Sequence, residues 1–210
     1  HFGDPLYELK TLQFNSGATL SMATATLTNV IYSTGTAADD YLTGYAGIDN
    51  MTGNAGNDSL TGAAGNDTLT GGTGNDALEG GLGADTYIFN RGDGNDTINN
   101  YTGVAPSDTL QLGEFLSPPF FRLNREGSDL VITFTDSPTD SIRVSNHFAD
   151  PMYELKTVRF SSGYTVDVST ANTANVIYTT GNADSNYFTG YNGIDVMSGG
   201  GANDSLQGGA

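Results

Sequence analysis

A nine-residue period constrains this chain more than any other feature. From Gly35 it reads GTAADDYLT, GYAGIDNMT, GNAGNDSLT, GAAGNDTLT, GGTGNDALE and GGLGADTYI. Each block opens with Gly, at Gly35, Gly44, Gly53, Gly62, Gly71 and Gly80. Each carries Asp in its sixth place, at Asp40, Asp49, Asp58, Asp67, Asp76 and Asp85. The eighth place is large and apolar: Leu42, Met51, Leu60, Leu69, Leu78, Tyr87. A second glycine fills the fourth place at Gly47, Gly56, Gly65, Gly74 and Gly83. The pattern slips by two residues and returns as RGDGNDTIN, with Asp96. It resumes in GNADSNYFT, GYNGIDVMS and GGGANDSLQ, with Asp195 and Asp204.

Six residues of Gly, Asn and Asp suit a turn, because Gly supplies backbone conformations that a Cβ disfavours. The last three, polar–apolar–polar, suit a very short strand with one inward side chain. No block can bury anything alone. Stacked two to a coil, the blocks form a flattened parallel roll with coils ~4.8 Å apart and an internal ladder of eighth-place residues. Six blocks make a roll only ~14 Å long, a thin core that needs metal or flanking structure.

The same stacking places Asp40 beside Asp58, Asp49 beside Asp67, Asp58 beside Asp76 and Asp67 beside Asp85. Two such charges ~5 Å apart repel by ~3 kcal/mol at an effective dielectric of 20. A divalent cation between them reverses that sign. Carboxylates and turn carbonyls form an all-oxygen shell, which suits Ca²⁺. The charge agrees: 24 Asp plus Glu against 7 Lys plus Arg give a formal −17. Such a chain repels nucleic acid. No apolar run is long enough to span a membrane as a helix. With no Cys, disulfide, zinc-thiolate and thiol chemistry are excluded.

A longer period of 146 residues contains the short one. Residues 1–64 and 147–210 align without a gap, with 37 of 64 positions identical. The chain reads as about one and a half units of a tandem array, with further units expected on either side. It divides into the end of a β-rich flanking segment (1–34), a first roll (35–98), a β-rich flank (99–180) and the start of a second roll (181–210). Within 86–180, β-branched and aromatic runs predict strands at Thr86–Phe89, Thr109–Leu112, Leu130–Phe134, Ser141–Val144, Leu155–Phe160 and Thr165–Val168. Turns are expected at Glu126-Gly127-Ser128 and Asp136-Ser137-Pro138. Val30-Ile31-Tyr32 and Val176-Ile177-Tyr178 read as entry strands, and Leu20–Thr28 alone hints at helix. The flank is expected to continue the solenoid and cap the roll.

These blocks resemble the RTX nonapeptide GGxGxDxUx of bacterial hemolysin-type calcium-binding proteins, above all in GGTGNDALE and GGLGADTYI. DLVITFTDSPTDSIRVSNHF and YELKTVRFSSGYTVDVS resemble the β-rich segment that accompanies such repeats. The resemblance implies an all-β fold, a right-handed parallel β-roll that binds Ca²⁺ in its turns, in proteins exported by type I secretion. It makes the sixth-place Asp and the first- and fourth-place Gly residues the calcium-site candidates. Three blocks depart from it. Ala38 and Ala202 replace the fourth-place Gly, and block 181–189 has Asp184 there and Asn186 in the sixth place, a poor cation site.

The function expected is a non-catalytic calcium-binding scaffold, secreted or at the cell surface. The alternatives are an adhesin or surface-layer repeat that binds a glycan or its neighbours, and the calcium-binding tail of a secreted enzyme. Arg91-Gly92-Asp93 is explained by the repeat, as are the Asn-x-Ser/Thr sequons in the turns. His147 (repeated as His1) has no nucleophile or second His nearby and reads as a packing residue.

Overall fold

The structure is a computed structural model that describes residues 11–13, 19–21, 30–101, 107–114, 116, 120–169, 176–180, 185, 187–189, 194–198 and 201–208. Strands β1 (Thr11–Gln13) and β2 (Thr19–Ser21) pair antiparallel. Leu20 and Ser21, where helix was expected, are therefore extended; 22–28 lie outside the described residues.

The repeat then lays down β3 (Val30–Thr34), β4 (Tyr41–Thr43), β5 (Ile48–Ala55), β6 (Ser59–Ala64), β7 (Thr68–Thr73), β8 (Ala77–Leu82), β9 (Thr86–Phe89) and β10 (Asn95–Ile98). Successive strands alternate between two sheets, so each pairs in parallel with the next but one. Leu60 sits opposite Leu78 and Leu69 opposite Tyr87, an offset of 18 residues. Where the sequence slips by two, the offset becomes 20, with Ile98 opposite Leu78. The roll of two blocks per coil is thus observed, and the chain is nearly all β.

One expectation is corrected. Strands β6, β7 and β8 are six residues long, not three, and run through the first three places of the next block, as does the eight-residue β5. The turn proper is only places four to six. The reason is the first-place glycine: it faces inward, alternating with the buried eighth-place residue, and is itself buried at Gly53, Gly62, Gly71 and Gly80. The inner ladder of Met51, Leu60, Leu69, Leu78, Tyr87 and Ile98 is 3% exposed or less throughout.

Beyond the roll come β11 (Thr109–Leu112), β12 (Phe121–Glu126), β13 (Asp129–Phe134), β14 (Ser137–Val144), a 3-10 turn at Pro151–Tyr153, β15 (Thr157–Arg159) and β16 (Thr165–Asp167). Strand β11 continues one sheet beside β9, followed by β15 and β16. Strand β14 continues the other beside β10, followed by β13 and β12. Phe89 of the roll stacks on Phe134 of the flank, and Phe121 meets Phe160 edge-on, so one apolar core runs through both. The turn at Gly127 (φ +62°) lies where expected. The second turn falls at Thr135-Asp136, because Ser137 already pairs with Phe134 across a bulge. The following repeat contributes β17 (Val176–Thr180), β18 (Tyr187–Thr189), β19 (Ile194–Ser198) and β20 (Ser205–Gln207). Strand β17 adds in parallel to β12, so the nine-stranded sheet runs from the first roll through the flank into the next.

Candidate metal centre in the roll turns

The sixth-place Asp sits at the edge where each turn re-enters a strand. One carboxylate oxygen, Oδ1, accepts the backbone N–H of the Asp one coil earlier. The Asp40 N–H donates to Asp58 at 2.7 Å, Asp49 to Asp67 at 2.9 Å, Asp58 to Asp76 at 2.7 Å, Asp67 to Asp85 at 2.8 Å and Asp76 to Asp96 at 3.0 Å. The neighbours expected from the 18-residue coil are therefore adjacent. The second oxygen is the informative one. Oδ2 of Asp58, Asp67, Asp76, Asp85 and Asp96 is buried with no hydrogen-bond partner, and so is Oδ1 of Asp49. A buried acceptor left unmade costs about 1–3 kcal/mol, more when charged. Six of them at two edges are a standing demand for cations.

Both glycines are dictated by this arrangement. A Cβ at Gly44, Gly53, Gly62, Gly71 or Gly80 would fall under 3.0 Å from the carboxylate of its own block's Asp. The first-place Gly and sixth-place Asp are one device, a carboxylate folded over a bare Cα. The fourth-place glycines have φ between +114° and +154°, and a Cβ at Gly65, Gly74 or Gly83 would strike the carbonyl oxygen of the glycine one coil earlier. Ala38 is tolerated because it stands in the first coil: it lies beneath Gly56 and has no such left-handed φ.

Second-place residues are also left-handed, at Asn54 (φ +83°), Ala63 (φ +82°), Gly72 and Gly81. Asn54 is held there by an Nδ2–H bond to the Gly35 carbonyl at 2.7 Å. Ala63 has no side-chain group to do this. Removing its Cβ relieves ~1–2 kcal/mol of strain against ~0.5–1 kcal/mol of added chain entropy. Ala63→Gly is expected to raise the melting temperature in calcium by ~1–4 °C; a fall would show that the strain is absent.

The fifth-place Asn also has a role in the coil. Asn57 Oδ1 accepts the Asn75 N–H at 2.9 Å, and Asn75 Oδ1 accepts that of Asn95 at 3.2 Å. On the other edge Asn66 Oδ1 accepts the Ala84 N–H at 2.9 Å. These asparagines, of which Asn57, Asn66 and Asn95 lie in sequons, are thus engaged in a ladder outside the Asp columns. The signal was present as NDS, NDT and NDA.

Burial pushes Asp67, Asp76 and Asp85 up to about 6, reinforced by neighbouring carboxylates. Asp96 is pushed up to about 8, mainly by burial, with Asp76, Asp93 and Asp140 adding repulsion. These are acids that resist ionising unless a positive charge comes to them. Among the described residues no group of three or more His, Cys, Asp or Glu side chains gathers in metal-binding geometry. Each turn pair offers two carboxylates, so further ligands would be backbone carbonyls or water. An all-oxygen set with glycine-turn flexibility fits Ca²⁺ and excludes a thiolate or imidazole metal site.

A calcium-repeat family model decides the class. The RTX calcium-binding nonapeptide repeat matches four times, over residues 34–69, 52–87, 61–98 and 180–210. The chain carries RTX calcium-binding repeats. A second model, the haemolysin-type calcium binding protein related domain, matches 129–170, the hairpin and turns of the flank. No curated protein matches the chain. The RTX repeats make this a calcium-binding structural module. Asp204 is half-buried; Asp195 belongs to β19, its side chain lies outside the described residues, and so do Asp184 and Asn186.

Two motifs have local explanations. Arg91 of the RGD tripeptide donates to the carbonyl and carboxylate of Asp136 at 2.8 and 2.5 Å. His147 is fully buried; Nδ1 accepts the Leu155 N–H at 3.2 Å, so Nε2 carries the proton and donates to the Val168 carbonyl at 3.0 Å. Burial lowers its pKa to about 4, and it acts as a neutral packing residue.

Proposed function

We propose that the first roll is a calcium-gated folding element of a secreted or cell-surface scaffold, with Asp40, Asp49, Asp58, Asp67, Asp76, Asp85 and Asp96 and the first- and fourth-place glycines forming its sites. The equivalent Asp195 and Asp204 would serve the next roll, and the division into roll (35–98), flank (99–180) and next roll (181–210) is part of the same reading. What supports it is the pattern of carboxylates from Asp58 to Asp96: one oxygen of each is committed to the coil before, the other is buried and unpartnered. In a compartment poor in free calcium the columns repel, and the chain stays open and exportable by a type I route. Outside, calcium is millimolar, and extracellular calcium modules bind with Kd of roughly 10⁻⁴–10⁻³ M. Each site then adds about 1.4 kcal/mol at ten times its Kd. Five to seven sites approach the stability of a whole domain. The sheet that passes from β12 to β17 favours an extended load-bearing array over a compact enzyme tail.

A calcium titration of single variants tests the stacking. Asp67 accepts from Asp49 and donates to Asp85, so it belongs to two turn pairs. Asp40 stands at the end, its Oδ2 held by the Thr36 N–H and hydroxyl. Asp67→Ala is expected to weaken binding and flatten the titration far more than Asp40→Ala. Equal effects on midpoint and slope would contradict the stacked arrangement.

A further inference from the structure

Asp108 lies outside every nonapeptide match and behaves like a repeat aspartate. Its Oδ1 accepts the Asp85 N–H at 2.7 Å, as Asp85 does for Asp67. It is wholly buried, and its Oδ2 has no partner. Strand β11 then stacks on β9, with Leu110 opposite Tyr87. The sequence DTL at 108–110 repeats DTL at 67–69. What is missing is the glycine turn.

A second, independent group faces the same carboxylate. Asn100 is 1% exposed, its side chain bonds to that of Asp108, and its Oδ1 is unpartnered. Its Nδ2 donates to the Glu154 carbonyl at 2.7 Å, which fixes the amide's orientation and ties it to the flank. Three buried acceptors without donors, Asp85 Oδ2, Asp108 Oδ2 and Asn100 Oδ1, thus belong to residues that touch through Asp108. Among the described residues no hydrogen bond reaches any of these three oxygens. In the next rung Lys156 takes the column place, and its ammonium is directed to Asp167 and Ser169 instead. The column ends there.

We propose that Asp85, Asp108 and Asn100 form one more divalent-cation site, non-repetitive in sequence, which seals the Asp49–Asp67–Asp85 column and couples the flank to the roll. Two carboxylates and an amide carbonyl are hard oxygen donors, matched to calcium. The site rests on the calcium reading of the roll, which places a cation in this column at all. Through Asn100, whose Nδ2 holds the Glu154 carbonyl, its occupancy ties the roll to the turn at 151–154.

The test counts calcium on the full chain by equilibrium dialysis, for the wild type, Asp108→Asn and Asp67→Asn. Asp108→Asn keeps an acceptor for the Asp85 N–H and removes the charge. It is expected to bind one Ca²⁺ fewer with the remaining sites unchanged. A wild-type count and affinity in Asp108→Asn, with calcium lost in Asp67→Asn, would overturn this site and leave the roll reading standing. No calcium bound by the wild type would overturn both. If Asp108→Asn does not fold, Asn100→Ser is counted instead: weaker binding of one cation supports the site, and an unaltered titration overturns it.

Discussion

Gly65→Ala is expected to cost the roll most of its stability even in saturating calcium. Two effects add. The backbone at Gly65 has φ +140°, a region open in practice only to glycine, at a cost of ~1–3 kcal/mol for any other residue. The new Cβ would also be driven onto the carbonyl of Gly47, a backbone atom held by its own coil. Overpacking of that kind costs ~1–3 kcal/mol more. Together they approach the 5–15 kcal/mol that holds a typical domain. Gly92→Ala is the control. It too is left-handed, at φ +88°, but a Cβ there meets nothing within 4 Å. It is expected to lose only the conformational part, ~1–2 kcal/mol. Denaturation midpoints in calcium compare the two; similar losses would mean that coil-to-coil contact does not set the requirement for glycine.

Acid is expected to act on the metal-free and calcium-loaded chains in opposite directions. In the metal-free fold Asp67, Asp76, Asp85 and Asp108 sit at about 6 and Asp96 at about 8, against 3.8 for a free carboxyl. A raised pKa means that the folded state holds the proton more tightly. The stability this provides is full below about 4 and is lost as the pH rises through 6 and then 8. His147 works the other way: with its pKa lowered to about 4, protonation costs stability between 6.5 and 4. One histidine opposes five aspartates. In chelator a strand-rich state that melts cooperatively is therefore expected at pH 5 and is lost by pH 8, where the carboxylates must ionise without a cation. In calcium the protons compete for the same oxygens, so apparent affinity falls below about pH 6. A metal-free chain more stable at pH 8 would contradict the buried-carboxylate account.

The sequence made the coil legible because Gly, Asp and a large apolar residue recur in one register. Those three places are fixed by a Cβ clash, a carboxylate bond and an inner ladder, each of which tolerates little else. Strand length was misjudged because the first-place glycine resembles a turn residue, yet it faces inward only to make room for the aspartate. Strand β12, FRLNRE, was missed because its charged residues hide an alternation in which Leu123 is buried. Asp108 was missed because its turn has no glycine pattern, although DTL recurs. The sheet exchange was also invisible: β3 and β5 lie in one sheet of the first roll, while their counterparts β17 and β19 extend the other. That outcome depends on which flank edge is free to pair, and no local residue pattern encodes it.

The central claim is that unpaired aspartate oxygens hold the coils apart until divalent ions join them. Far-UV circular dichroism with small-angle scattering, on one sample taken from EDTA through magnesium to millimolar calcium at neutral pH, addresses it most directly. The expected result is an expanded chain with little strand signal in EDTA and in magnesium, and a sharp gain of strand signal and compaction on adding calcium. A chain already compact and strand-rich in EDTA, unchanged by calcium, would contradict it.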